Sequence, residues 1–207
     1  LALLFRFYLH HGLEFQWMGI EDNQRNTIIV IAILFIAECF SGLYCHAHQC
    51  SLSDYYRQIH LFFLKGKEGS ELDNSLQQQH LYNTTPWKGN IIQKLFLKTY
   101  ISYTRNQERQ TPKFQQLIKT LKEKYGGVEN IPQAFKDEFR ALSLPMMKWA
   151  NILTFNTRAI ALYVACLIDF PWLYIVFEIV VMTALYFYMR HTHEEFCKKL
   201  NSKIQLP

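Results

Sequence analysis

Few residues in this chain are equipped for chemistry, and the most pointed of them sit inside apolar sequence. Asn156, Thr157 and Arg158 fall on the early turns of an apolar run from Asn151 to Ile168, and Glu178 falls near the middle of a second run, Trp172 to Met189. A charge at the centre of a membrane helix costs about 2.5 to 3.5 kcal/mol on insertion scales, so such residues face a partner, a watery cavity or a substrate. Arg158 can fork onto a phosphate or an anionic headgroup, with Asn156 and Thr157 beside it as hydrogen-bonding groups. It can also pair with Glu178. Counted from the turn at Phe170, the two differ in height by roughly 6 Å at 1.5 Å per residue, within reach of a long side chain. A third course is snorkelling to the interface, since Arg158 lies close to the start of its run.

Two further groups invite a chemical reading. Cys45-His46-Ala47-His48-Gln49-Cys50 has ligands of the kind tetrahedral zinc sites use, and His191, His193 and Cys197 could supply a distant second pair. The plainer alternative is a membrane-exit turn at 45–50. Glu38, near the end of an apolar run, lies either among headgroups or against a polar cavity. Five cysteines are an odd number, and no disulfide framework is indicated.

The elements that must hold these residues follow from hydropathy. Apolar residues concentrate at 1–9, 27–44, 151–168 and 172–189, whereas 45–150 is polar and basic. Runs near 18 residues are long enough to cross a bilayer core of about 30 Å as helices. The first block is too short to do so, and the chain begins with Leu. It reads as the end of a spanning helix that starts upstream, because a signal peptide would place its basic residue before the apolar run, not within it as Arg6 is. The fold class expected is all-α: a multi-pass integral membrane helical bundle with a helical insertion. Its parts are 1–44 (the end of one membrane helix, an outer loop and a full crossing), the basic loop 45–150, the transmembrane hairpin 151–189 and a tail at 190–207.

Charge orients this arrangement. Of 22 Lys and Arg, 15 lie in 45–150 and four in 190–207, whereas 10–26 holds only Arg25. Basic segments stay in the cytoplasm, so the loop and the C-terminus are expected there. The net charge of +5 is a juxtamembrane bias suited to anionic lipid surfaces or phosphorylated substrates, and it does not read as a nucleic-acid footprint.

Within the loop, Ser51 to Leu64 reads as a helix with Ser51 or Ser53 as N-cap. Its Tyr55, Ile59, Phe62 and Phe63 suit either a membrane surface or packing on the loop's own helices. Helical patterns resume at about 70–82, 90–105 and 112–125, and from Pro132 to about Leu142, with Ser143-Leu144-Pro145 leading into the next crossing. Tyr100, Tyr103, Phe114, Leu117, Leu121, Phe135 and Phe139 supply the apolar faces. There is no strand-hairpin signature, phosphate-cradling glycine loop, nucleophile motif or internal repeat.

Several short words in the chain, Leu61-Phe-Phe-Leu-Lys-Gly-Lys67, Glu71-Leu-Asp73, Thr104-Arg-Asn-Gln-Glu-Arg109, Ser143-Leu-Pro145 and Leu153-Thr-Phe-Asn-Thr-Arg158, together resemble the C-terminal two thirds of bacterial CDP-alcohol phosphatidyltransferases. The resemblance is to a variant with an enlarged cytoplasmic loop. The motif that defines that family, Asp-x-x-Asp-Gly-x-x-Ala-Arg followed by Gly-x-x-x-Asp-x-x-x-Asp, is matched by no window here.

The resemblance implies a phosphotransferase of phospholipid biosynthesis in the inner membrane, moving a phosphatidyl or phosphoalcohol group from a CDP-linked donor to a small alcohol acceptor with release of CMP. It implies Mg or Mn bound by the motif's aspartates, membrane lipid as a partner, and a homodimer. With the motif upstream of Leu1, no catalytic residue and no metal ligand falls in this chain. Asn156, Thr157, Arg158 and Glu178 are then the substrate-binding candidates, a wall of the acceptor pocket. The reading from another class is a non-enzymatic membrane scaffold or transporter component, in which Arg158 and Glu178 lock helices together.

Overall fold

The apolar runs are helical, and the helices extend well beyond them. The computed structural model describes residues 24–66, 72, 74–168 and 170–205. The expected helix end at 1–9, most of the outer loop, and Lys67, Glu71, Asp73 and Asp169 lie outside these. Among the described residues every regular element is helical: α1 (Gln24–Cys39), α2 (His46–Lys65), α3 (Ser75–Thr84), α4 (Ile91–Gln110), α5 (Pro112–Tyr125), α6 (Gln133–Ile152), α7 (Phe155–Leu167), α8 (Trp172–Val176) and α9 (Thr183–Gln205). Two π-helical turns, Phe40–Cys45 and Phe177–Met182, join α1 to α2 and α8 to α9. Three stretches, Ile28–Lys65, Gln133–Leu167 and Trp172–Gln205, are long and apolar enough to cross a membrane.

The chain divides into two compact units. The first comprises, in its described part, residues 24–50 and Leu153–Ala184. Its distribution of polarity is inverted relative to a water-soluble domain. Glu38, Ser41, Gln49, Arg158 and Glu178 are buried, while Ile33, Ile36, Leu43, Ile160, Tyr163 and Val180 are exposed. The two π-turns pack on one another, and Ser41, buried in the first, has the small side chain that lets helices come close.

The second unit comprises, in its described part, residues 51–66, 72, 74–152 and 185–205, and has the usual polarity. Leu52, Ile59, Phe63, Phe114, Leu117, Leu121 and Phe139 are fully buried, and the Phe63 and Phe139 rings stack with centroids 3.9 Å apart. The face carrying Tyr55, Ile59, Phe62 and Phe63 therefore packs on helices of its own unit. Pro112 begins α5 at the position where a missing N–H costs nothing, and Gly126, at φ 73°, ends it in the left-handed conformation that glycine tolerates best. Glu194 accepts from the free amide of Lys113 at 2.7 Å, placing negative charge at the positive end of α5.

Three local expectations change. The stretch 45–50 is not an exit turn: with neither Gly nor Pro to break it, helix runs from the π-turn straight into α2, and Ser53 donates to Ala150 O at 2.6 Å instead of capping a start. Ser143-Leu144-Pro145 does not end α6. Pro145 is accommodated inside the helix, Ser143 shares a 2.7 Å hydrogen bond with His60 Nδ1, and the interruption comes at Leu153–Thr154. Tyr100 and Tyr103 lie off the buried face of α4, which is formed by Leu97, Ile101 and Thr104.

Phe139 meets four aromatic rings in this core, stacking on Phe63 and meeting Phe114, His193 and Phe196 edge-on or tilted. Phe139→Ala should lower unfolding stability by about 3 to 5 kcal/mol, read by denaturant titration in detergent. A loss near zero would mean this aromatic core is not packed as described.

Candidate functional site

Among the described residues of the first unit, a buried polar network is centred on Arg158. Arg158 is 2 % exposed and Glu178 fully buried. Its Nε–H is shared between Glu178 Oε1 and Oε2, each at 3.0 Å. Nη1 donates to the carbonyls of Leu153 and, at 3.1 Å, Thr154. Nη2 donates to Gln49 Oε1. All three guanidinium nitrogens are thus engaged within the chain.

Each partner is available for a structural reason. Thr154 adopts an extended conformation (ψ 177°), which breaks the helix between α6 and α7 and leaves carbonyls without the amide partners a continuous helix would give them. Arg158, one turn into α7, folds back and supplies those donors. Glu178 sits in a π-turn, whose wider spacing leaves its carbonyl open to side chains. That carbonyl accepts from Gln49 Nε2 and from Thr183 Oγ1, both at 3.5 Å, and Gln49 Nε2 also donates to Thr183 Oγ1 at 3.0 Å. Gln49 therefore uses both ends of its amide, the oxygen toward Arg158 and the nitrogen toward the segment around Glu178.

Of the four residues singled out by sequence, the structure brings two together. Arg158 and Glu178 form an ion pair, while Asn156 is exposed, Thr157 is half-buried, and neither enters the network. Gln49 was missed, although a signal for it existed. Glu38, Ser41, Cys45 and Gln49 recur at near-helical spacing, and all four are buried. His46 also approaches the network, its Nδ1 lying 3.8 Å from Glu178 Oε1 with the side chain about one third exposed (36 %). It is the rim of the site.

The Cys/His cluster does not assemble as a tetrahedral site. Cys50 Sγ lies 3.7 Å from His46 Nε2 and points its thiol to Leu153 O at 3.6 Å. Among the described residues no three His, Cys, Asp or Glu side chains are disposed to hold a metal ion.

No protein-family model, no curated protein and no solved structure matches this chain. The resemblance to the phosphatidyltransferases accordingly rests on the short words of the sequence. One of them, Leu153 to Arg158, now has a physical content: it encodes a helix break and the arginine that satisfies it.

The pair should behave as one interaction. Removing either charge strands the other in the apolar interior, a loss of about 3 to 5 kcal/mol, whereas replacing both with apolar residues of similar volume costs far less. Arg158→Leu and Glu178→Leu, compared with the double variant by thermal unfolding in detergent, should therefore be strongly non-additive. Additive losses would show that the two side chains act separately.

Proposed function

We propose that this chain is the membrane-embedded framework of a phosphotransferase of the CDP-alcohol type. The observation that carries the membrane part is the inverted first unit, with charge inside and apolar side chains outside, an arrangement stable only where hydrocarbon replaces water around it. The loop-side unit and the C-terminus lie in the cytoplasm of the inner membrane, in line with the excess of Lys and Arg in 45–150 and 190–207. The transferase part is supported by the sequence words alone.

Within that reading the buried ion pair supports Arg158 and Glu178 as the residues that hold helices in place. Asn156 and Thr157, on the first turn of α7 and not enclosed by the network, are the groups left to meet an alcohol acceptor or its phosphate. The CDP-linked donor, the divalent metal and the catalytic base would be held by residues other than those described.

A second reading, a non-enzymatic scaffold or transporter component, is favoured by one observation: every nitrogen of Arg158 is spent on the chain itself. The full-length protein, reconstituted in vesicles with a CDP-linked lipid, Mg or Mn and a panel of small alcohols, separates the two. The transferase reading expects release of CMP, and expects Asn156→Ala to raise the acceptor KM by about tenfold, the worth of one charge-assisted hydrogen bond. Absence of CMP release across the panel, from protein that retains its helicity, would leave only the scaffold.

A further inference from the structure

The α3–α4 hairpin of the second unit has a surface that neither reading explains. From Asn74 to Gln107 there is no Asp or Glu, while Lys88, Lys94, Lys98 and Arg105 are all basic. At its tip Trp87, Ile91, Ile92, Leu95 and Phe96 are exposed, Ile92 by 84 % and Phe96 by 65 %. Along α4 the positions 92, 95, 96, 99 and 103 form one stripe at helical spacing, and it is the stripe opposite the buried Leu97, Ile101 and Thr104. Lys98 and Arg105, both exposed, lie along one flank of it. Large contiguous apolar patches on a protein surface mark interaction sites.

The tip is also held in shape. Lys94, itself buried, donates to Thr85 O at 2.8 Å and lies over the rings of Tyr82 and Trp87, with centroids at 4.3 and 4.8 Å. Its charge is thereby fixed beneath the aromatic face. Asn74 caps α3 through Leu76 N at 2.8 Å, and Glu108, just beyond the acid-free stretch, accepts from Ser75 N at 2.9 Å and so ties the base of the hairpin.

We propose that the α3–α4 hairpin docks on an anionic lipid surface, inserting Trp87, Ile91, Ile92, Leu95 and Phe96 at the level of the headgroups. Charge complementarity decides the occupant. An apolar stripe flanked by Lys and Arg, with an interfacial Trp and no acidic residue to repel lipid phosphates, is the composition of a helix that lies in a bilayer interface. A second copy of this chain would bring the same positive charges face to face. The inference stands whether or not the chain belongs to a transferase.

The test is the emission of Trp87 in the full chain, reconstituted in vesicles of phosphatidylcholine brominated on its acyl chains. The difference between the unaltered chain and Trp87→Phe isolates that residue. With about one third phosphatidylserine in the vesicles, the Trp87 signal should be quenched. Quenching should weaken in pure phosphatidylcholine and near 1 M salt, where charges are screened beyond about 3 Å. The triple variant Lys88→Glu, Lys98→Glu, Arg105→Glu should lose it while keeping its helicity. Trp87 left unquenched in anionic vesicles, or quenched equally with charges reversed, would overturn the proposal. So would cross-linking through Ile92→Cys that joins two copies in place of lipid contact.

Discussion

A guanidinium held among apolar helices must have its hydrogen bonds met by the protein, because no solvent is at hand to meet them, and the first unit is organised by that constraint. The carboxylate of Glu178 neutralises Arg158, the backbone of 153–154 receives Nη1, and the Gln49 amide receives Nη2. The dependence runs both ways. A helix break inside an apolar unit leaves carbonyls that only a nearby donor can satisfy, so the interruption before α7 needs Arg158 as much as Arg158 needs it.

The parts of this that could be read from sequence are those governed by a single periodicity. Counting residues back and forward from the turn near Phe170 put Arg158 and Glu178 within reach of each other, and they meet at 3.0 Å. Gln49 is hard to read from sequence because it stands among His46, His48 and Cys50, which suit either a metal cluster or a turn. Helical continuation of the apolar run would have put Gln49 on the stripe of Glu38, Ser41 and Cys45. Asn156 and Thr157 were drawn in by their nearness to Arg158 in sequence, yet neighbours one and two residues apart on a helix point in different directions.

The second unit shows the same boundary between what is local and what is not. Pro112 and Gly126 bracket α5 because they act through their own backbone preferences. Pro145 misled because a proline's cost can be absorbed when packing on both sides is good, as with the buried Ser143 and Met146. On α4 the aromatic rings of Tyr100 and Tyr103 looked like core, whereas the smaller Leu97, Ile101 and Thr104 fill the inner face. Side-chain size is no guide to direction when a helix carries apolar residues all round.

The paired π-turns have a consequence for how this chain can vary. A π-turn is in effect an α-helix that has absorbed an extra residue, and each residue turns a helix by about 100°. Deleting one position within Phe40–Cys45 would therefore close that turn to ordinary α-helix with Gln49 still on the face toward Arg158, and deleting one within Phe177–Met182 would narrow the turn whose Glu178 carbonyl accepts from Gln49 and Thr183. Length can change there by the one absorbed residue, whereas Glu178, inside the second turn, cannot be exchanged alone without stranding Arg158.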